Sequence, residues 1–129
     1  MIIDSSAIVA IVFQEPGYDV MLDKLVDSSF TGIGTPTLVE TSIVMTARLG
    51  RDATGFMDRL LIELGITEIP FGSDHWRESV KAYCHFGKGR HAAALNFGDC
   101  LTYAVAKLSD LPLLCKGNDF RKTDLKLVV

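Results

Sequence analysis

The first seven residues of the chain constrain its fold more than any other stretch. Met1, Ile2 and Ile3 follow one another without polar alternation, and such a short apolar run favours a strand over a helix. A strand without alternation is typical of a parallel sheet that is covered on both faces. Asp4 then stands at the carboxyl end of a central strand, the edge at which open α/β sheets bind ligands. Asp4 is therefore either a helix cap or part of a site.

The composition is that of one soluble globular domain. The chain has 129 residues, of which 48% are hydrophobic and 22% charged, and this length is sufficient for one substantial core. No apolar run approaches the roughly 20 residues that span a bilayer, and no basic targeting segment opens the chain. We therefore expect a cytoplasmic protein with a single domain over residues 1–129. The net charge of −3 means that any affinity for nucleic acid must come from a local patch.

Strand-like and helix-like stretches alternate along the chain. Residues 29–33, 66–69, 111–115 and 125–129 resemble short strands, and amphipathic helical stretches separate most of them. Ser5 or Ser6 is expected to cap the first helix. Strands that alternate with helices predict a parallel sheet covered by helices on both faces. We expect an α/β protein with a three-layer α/β/α fold and about five short strands.

The helix that begins near Thr35 and Pro36 contains the most informative anomaly. Threonine followed by proline indicates a helix start. Within this helix Glu40 shares one face with Ile43 and Val44, which predicts a carboxylate on the stripe that faces the core. A buried carboxylate needs a cation or a hydrogen-bond partner. An ion pair or a contact with a helix dipole is the ordinary alternative to a functional site.

Two more acids occupy comparable positions. Asp99 lies in the first turn of a helix predicted over residues 98–108, where a capping role would also explain it. Asp119 follows the predicted fourth strand in a turn-like segment, where aspartates are common. Together with Asp4 and Glu40, they can converge on one edge of the sheet, and they would repel each other there unless divalent cations held them. Ligand sets made only of oxygen favour Mg²⁺ or Mn²⁺.

Four motifs in order resemble those of a known family. They are Asp4, Ser5, Ser6 and Ala7; Glu40 within the helix of Thr35 and Pro36; Asn96, Phe97, Gly98 and Asp99; and Gly117, Asn118, Asp119 and Phe120. In this order they resemble the acidic motifs of the PIN domain, and in particular those of VapC-type toxins of bacterial type II toxin–antitoxin modules. The resemblance spans essentially the whole chain, including the segment Lys88, Gly89, Arg90 and His91.

The resemblance implies a metal-dependent endoribonuclease with an α/β/α fold. Such an enzyme leaves a 5′-phosphate and a 3′-hydroxyl, is usually a homodimer and is neutralised by a cognate VapB-type antitoxin. Asp4, Glu40 and Asp99 match the core acids of the family, and Asp119 matches its more variable fourth acid. The resemblance therefore implies that these four side chains hold Mg²⁺ or Mn²⁺ and carry the catalysis.

Four further side chains are candidates for substrate contacts. Ser6 is near enough to Asp4 to position a phosphate or a water molecule, and helix capping explains it equally well. Arg90 and Lys116 border the predicted acidic edge and can bind RNA phosphates, with solubility as their alternative role. Asn118 can orient a water molecule. Many family members have an acid or a threonine near Lys116 and Asn118, so the number of metals, one or two, stays open.

Several predicted helices carry apolar faces. Those over residues 18–26 and 54–64 can form a dimer interface, receive an antitoxin or belong to the core. We expect a basic residue of the antitoxin to reach the acidic edge and to displace the metal. A helix beginning near Ser73 is expected to bury Trp76, Val80, Tyr83 and Cys84.

Two other functions compete with the nuclease. In a phosphoaspartyl enzyme Asp4 would be the nucleophile, but dehalogenase-type phosphatases need a second aspartate where Ser6 stands. Receiver domains need an acceptor aspartate where Pro70 and Phe71 stand. A catalytically weak PIN scaffold that binds RNA or a protein partner would lack the core acids, which are present. The nuclease is therefore the stronger hypothesis.

Overall fold

Four strands and six helices alternate along the computed structural model, which describes all 129 residues. The strands are β1 (Ile2–Ile3), β2 (Thr31–Gly34), β3 (Ile66–Ile69) and β4 (Leu113–Leu114), and the helices are α1 (Ser5–Val12), α2 (Tyr18–Asp27), α3 (Thr35–Leu49), α4 (Thr54–Leu64), α5 (Ser73–Phe86) and α6 (Phe97–Ser109). The strands pair in parallel in the order β3-β2-β1-β4. No helix combines the length and the apolar character that a bilayer crossing requires.

The two residues of β1 belong to different cores. Ile3 packs in a cluster that includes side chains of α1 to α4, whereas Ile2 packs in a second cluster with side chains of α5 and α6. Successive side chains of a strand point to opposite faces of a sheet, so helices cover both faces. This arrangement confirms the predicted three-layer α/β/α fold and the central position of the first strand.

Residues 125–129, which were predicted to be a strand, form only one isolated bridge to the sheet. Leu127 makes a single parallel bridge with Leu113. The Leu113 amide donates to the Lys126 carbonyl, and the Val128 amide donates to the Leu113 carbonyl, both at 2.9 Å. Because β4 has only two residues, the pairing extends no further. The sheet therefore has four strands, one fewer than the number that we predicted.

The buried face of α3 differs from the predicted one. Its buried residues are Thr37, Thr41 and Met45, whereas Ile43 is 63% exposed and Glu40 is also exposed. Thr41 Oγ1 donates to the Thr37 carbonyl at 2.7 Å, so this hydroxyl is satisfied within the helix and does not need water. The prediction that Glu40 lies on the core stripe is therefore wrong.

Helix α5 also buries a different face. Its buried residues are Ser79 and Ala82, and these small side chains allow close packing against neighbouring helix α6. Trp76, in contrast, is 52% exposed. The prediction was therefore wrong for all four residues expected to be buried, since each of them is exposed: Trp76, Val80, Tyr83 and Cys84.

Candidate active site

Asp4 lies where β1 meets α1, and hydrogen bonds hold both oxygens of its carboxylate. Oδ2 accepts from the Ser6 amide at 3.1 Å and from Ser6 Oγ at 2.6 Å. Oδ1 accepts from the Thr102 hydroxyl at 2.8 Å. Asp4 itself is therefore the N-cap of α1, in place of the predicted Ser5 or Ser6. Asp4 is only 6% exposed, so hydrogen bonds from the protein replace most of the water around its carboxylate.

Glu40 reaches the same edge from α3. Its Oε1 accepts from Ser5 Oγ at 2.8 Å. Its Oε2 lies against Gly98, because a Cβ atom built on Gly98 would be 2.6 Å from that oxygen. The absence of a side chain at Gly98 thus lets Glu40 approach the first turn of α6, where backbone N–H groups favour negative charge.

Asp99 lies in that first turn and forms a reciprocal cap with Asn96. Asp99 Oδ2 accepts from the Asn96 amide at 3.1 Å, and Asn96 Oδ1 accepts from the Asp99 amide at 2.9 Å. Burial raises the pKa of Asp99 to about 6, and the charges of Asp119, Asp4 and Glu40 also raise it, whereas the Asn96 amide lowers it. The four acids therefore converge around one space, and we call them the acidic cluster.

Asp119 is held on a short loop after β4. The next residue, Phe120, is buried, whereas Asn118 and Asp119 are exposed. The Arg121 amide donates to the Asn118 carbonyl at 3.1 Å. The buried phenylalanine thus anchors the loop, and the polar side chains before it remain accessible at the edge of the sheet.

No basic side chain neutralises the acidic cluster. The four ion pairs of the protein use the carboxylates of Glu15, Glu78 and Asp124, and none uses a member of the cluster. Cys115, buried at the end of β4, responds to the same field. Burial raises the pKa of its thiol to about 12; the charges of Asp4, Asp119 and Asp99 contribute to the rise, and the charge of Arg121 opposes it. The site therefore gathers four carboxylates, none of which forms an ion pair with a basic side chain of the protein.

The donor set of the cluster fits a hard divalent cation. All its ligating atoms are carboxylate oxygens, the type that Mg²⁺ and Mn²⁺ prefer. No three of its side chains are gathered closely enough to form a metal-ligand group, and Asp4, Glu40 and Asp99 accept hydrogen bonds from the protein. Mg²⁺ commonly keeps several waters and takes only one or two carboxylates directly. The acidic cluster is therefore compatible with Mg²⁺ that is held by one or two of its carboxylates and by several waters.

Ser6 and Lys116 support the neighbourhood of Asp4. Ser6 Oγ donates to Asp4 and accepts from the Lys116 amide at 2.9 Å, so its single hydrogen is already used. Lys116 Nζ donates to Glu15 Oε1 at 2.7 Å, and this contact lowers the pKa of Glu15. Lys116 is thus paired with Glu15, which also pairs with Arg48 at 3.6 Å.

Arg90 belongs to an exposed basic group that makes no ion pairs. Its guanidinium lies 5.1 Å from the centre of the Tyr83 ring, a cation–π distance. Three other basic side chains are exposed and form no ion pair: Lys88, which lies with Arg90 between α5 and α6, and Arg121 and Lys122, which follow Asp119. These side chains present positive charge that no carboxylate of the protein pairs with.

Thr37 and Thr102 were not singled out from the sequence, and Ser5 was expected only as a helix cap and as part of the first motif. Ser5 donates to Glu40, Thr102 donates to Asp4, and Thr37 Oγ1 lies 3.0 Å from Thr102 Oγ1. Thr102 follows Asp99 by three residues, and Thr37 precedes Glu40 by three, a spacing that puts each pair on one side of its helix. That spacing was the only available signal, because Thr102 and Asp4 are 98 residues apart.

The chain is similar in sequence to known proteins over nearly its full length. The PIN domain family model matches residues 1–126. Ribonuclease VapC36 of Mycobacterium tuberculosis is 44% identical over 127 residues, which cover 98% of this chain and 91% of that protein.

Two solved structures share the fold at low sequence identity. The toxin VapC20 of Mycobacterium tuberculosis, described as cleaving the Sarcin-Ricin loop, superimposes with a TM-score of 0.78 at 14% identity over 98% of this chain and 97% of that one. A toxin–antitoxin complex from Klebsiella pneumoniae has a chain that superimposes with a TM-score of 0.71 at 16% identity over 95% of this chain and 92% of that one.

Proposed function

We propose that this chain, which belongs to the PIN-domain family and to its VapC branch, is a metal-dependent endoribonuclease toxin of a toxin–antitoxin pair. The observation that carries the proposal is the acidic cluster at the carboxyl edge of the sheet, which forms no ion pair with a basic side chain. The VapC relative named as a ribonuclease supports RNA as the substrate. An RNA substrate in turn supports action in the cytoplasm.

The four acids of the cluster would hold Mg²⁺ or Mn²⁺. A divalent cation bound there supplies Lewis acidity, which stabilises charge on a scissile phosphate and lowers the pKa of water. Asp4 keeps a fixed orientation because both its oxygens are hydrogen-bonded. Glu40 or Asp99 would take up the proton of the attacking water. The bond between phosphorus and the 3′-oxygen breaks, and this oxygen takes a proton from solvent, so the products carry a 5′-phosphate and a 3′-hydroxyl.

Purified protein and a mixed cellular RNA preparation test this function. With Mg²⁺ or Mn²⁺ we expect cleavage, with EDTA none, and with Asp99→Asn a loss of at least about 100-fold, since a positioned acid–base group contributes about that much. Asp110→Asn is the matched control, because it makes the same change at the other end of α6. Asp110 has a φ of 52°, a conformation that asparagine accepts, so this variant should keep full activity.

Two outcomes of this experiment would contradict the proposal. One is normal cleavage by a well-folded double variant, Asp4→Asn with Asp99→Asn. The other is a wild-type protein that binds Mn²⁺ and cleaves no RNA in a broad panel, which would favour a PIN scaffold that binds without catalysis.

We assign RNA phosphate binding to the exposed basic group, with Arg90 as its principal member. Contacts to phosphates release counter-ions, so affinity should fall as salt rises. The inactive Asp99→Asn protein allows binding to be measured without cleavage. We expect Arg90→Ala to weaken binding in this background and to reduce the salt dependence, and equal affinity would remove Arg90 from the interface. Lys116 contributes less to RNA binding because Glu15 pairs with it. Ser6 acts through its hydrogen bonds to Asp4. Asn118 remains a candidate for orienting a water molecule.

We propose a homodimer over the face formed by α3, α5 and α6. Phe97 projects from this face with 81% of its surface exposed. It lines two hollows of about 550 and 560 Å³, one shared with Val80 and Tyr83 and the other with Val39 and Ile43. A projecting aromatic side chain beside hollows on the same surface allows two copies related by a two-fold axis to place this side chain in each other's hollows.

We propose that a cognate VapB-type antitoxin inhibits the protein by presenting a basic side chain to the acidic cluster. An unbalanced negative site is complementary to such a group, and the toxin–antitoxin complex that shares the fold supports a partner of this kind. The coexpressed complex should bind Mn²⁺ more weakly than the free protein. An unchanged Mn²⁺ affinity in the complex would contradict this mode of inhibition.

A further inference from the structure

Behind Asp4, hydroxyl groups from two helices form a buried chain. Thr102 of α6 is 1% exposed and Thr37 of α3 is 3% exposed. Thr102 Oγ1 lies 2.8 Å from Asp4 Oδ1 and 3.0 Å from Thr37 Oγ1. These contacts join the end of β1, the first turn of α3 and the second turn of α6 beneath the acidic cluster.

The hydrogen bonds between these hydroxyl groups and Asp4 have a definite direction. An ionised carboxylate only accepts hydrogen bonds, and a threonine hydroxyl has one hydrogen to donate. Thr102 therefore donates to Asp4 Oδ1, and its oxygen accepts from Thr37. Both O–H dipoles point toward the carboxylate, and in a low-dielectric interior each polarises the next.

The opposite oxygen of Asp4 is held independently. Its Oδ2 accepts from the amide and the hydroxyl of Ser6, which belong to α1. Because the bonds on the two oxygens come from different elements, the carboxylate cannot rotate without breaking some of them. Thr102 also lies one helical turn from Asp99, and Thr37 lies one turn from Glu40, so the threonine pair fastens the two helices that present the other acids.

We propose that Thr102, supported by Thr37, is a positioning residue that orients Asp4 for binding a divalent cation. This inference rests on the proposed function, because it assumes that the acidic cluster binds such a cation. Partners that orient metal-binding groups commonly change metal affinity or activity by about 10- to 100-fold. A hydroxyl that only satisfied a buried carboxylate would affect thermal stability and leave the affinity for the cation unchanged.

Mn²⁺ binding to the RNA-free protein, followed by electron paramagnetic resonance together with thermal unfolding, tests the inference. Thr102→Val preserves the shape of the side chain and removes the hydroxyl, and we expect Mn²⁺ affinity to fall by about 10- to 100-fold. Thr102→Ser restores the donor and should return the affinity close to that of the wild type. Thr37→Val should cause a smaller loss, because Thr37 acts only through Thr102.

Thr41→Val is the matched control. Thr41 is a fully buried threonine of α3, and its hydroxyl donates only to the Thr37 carbonyl of its own helix. This substitution should lower the stability while leaving Mn²⁺ affinity unchanged. The comparison therefore separates the loss of any buried hydroxyl from the loss of the one that contacts Asp4.

A folded Thr102→Val protein with wild-type Mn²⁺ affinity would overturn the inference. If Thr102→Val does not fold, Thr37→Val decides: weakened Mn²⁺ binding supports the inference, and unchanged binding overturns it. A wild-type protein that binds no Mn²⁺ would overturn both this inference and the metal-dependent function. If the wild type binds Mn²⁺ and cleaves RNA while Thr102→Val binds equally well, only the positioning role fails.

Discussion

Gly98 determines, through the side chain that it lacks, where the Glu40 carboxylate lies. A Cβ atom at this position would approach Glu40 Oε2 to 2.6 Å and Cδ to 3.3 Å. These atoms are at the flexible end of a long side chain, so they can move without disturbing the backbone. A substitution at Gly98 should therefore alter the acidic cluster and leave the fold intact.

Gly98→Ala separates stability from function at this position. Alanine in a helix is favoured over glycine by up to about 1 kcal/mol, so the free energy of unfolding should stay equal or rise. Displacement of Glu40 should lower Mn²⁺ affinity and RNA cleavage by about 10-fold. Calorimetric titration with Mn²⁺ and a cleavage assay measure the two effects.

Gly55→Ala provides the control for that substitution. Gly55 is the second residue of α4, as Gly98 is of α6, and a Cβ atom there would meet nothing within 4 Å. The control should gain stability without any change in Mn²⁺ affinity. Equal Mn²⁺ affinity in Gly98→Ala and the wild type would show that Glu40 can adjust without leaving the site.

Glu40 also shows what residue patterns can predict. The sequence identified Glu40 as anomalous because it shares a stripe with Ile43 and Val44, yet Glu40 and Ile43 are exposed and Thr37 and Thr41 are buried. Hydropathy cannot reveal that a threonine hydroxyl finds its partner inside its own helix. The residue was therefore singled out as a candidate for a reason that the structure does not support.

Helix α6 connects the acidic cluster to the C-terminal segment. Its first turn carries Asp99, and two later residues hold Asp124. The Tyr103 hydroxyl donates to Asp124 Oδ1 at 2.6 Å, and Lys107 Nζ donates to Oδ2 at 2.7 Å. These bonds, with the one from Lys107 as the largest cause, hold the pKa of Asp124 below its ordinary value. The segment that follows the Asp119 loop is thus fastened to the helix that presents Asp99.

Asp124→Asn should lower the free energy of unfolding by about 1 kcal/mol at pH 7. Hydrogen bonds to charged groups contribute about 1.5–3 kcal/mol. The contribution here is smaller because the side chains of Lys107 and Asp124 are 44% and 49% exposed, and solvent screens their interaction. A carboxyl with a lower pKa in the folded state stabilises the protein at neutral pH, and this stabilisation disappears as pH falls through the folded-state pKa. Urea unfolding at pH 7 and pH 3 should therefore show a smaller difference between Asp124→Asn and the wild type at pH 3 than at pH 7.

Asp110→Asn is again the control, because Asp110 lies near the same end of α6 and makes no ion pair. It should change the stability little at either pH. An Asp124→Asn effect of equal size at pH 7 and pH 3 would show that packing, and not charge, fastens the segment.

At the scale of the whole molecule, apolar side chains are exposed on two separate faces. One is the face of α3, α5 and α6 around Phe97. The other includes Val26 of α2 and Ile62 of α4, which line a smaller hollow of about 340 Å³. The sequence left open which faces belong to the core and which to partners, and only the first face adjoins the acidic cluster through Phe97 and Gly98.

Phe97→Asp should convert the proposed dimer to monomer. Removal of a central aromatic anchor commonly costs 2 kcal/mol or more, which corresponds to a dimer dissociation constant at least about 30-fold higher. An aspartate in the first turn of α6 is compatible with the helix dipole, so the fold should persist. Sedimentation equilibrium measures the change.

Ile62→Asp introduces the same charge on the other face and should leave the dimer intact. If Ile62→Asp dissociates the protein and Phe97→Asp does not, the dimer uses α2 and α4. A wild-type protein that is monomeric at all concentrations would remove the dimer from the proposal.

The sequence by itself determined the order of the helices and strands, the central position of β1 and the candidate acids. These features depend on neighbours a few residues apart, and local patterns record them. Only the tertiary structure decided which helix faces are buried, that Gly98 leaves room for Glu40, and that Thr102 holds Asp4. A threonine hydroxyl or a carboxylate is satisfied equally well by its own helix or by a residue 98 positions away, and only the packing of the whole chain selects between these partners.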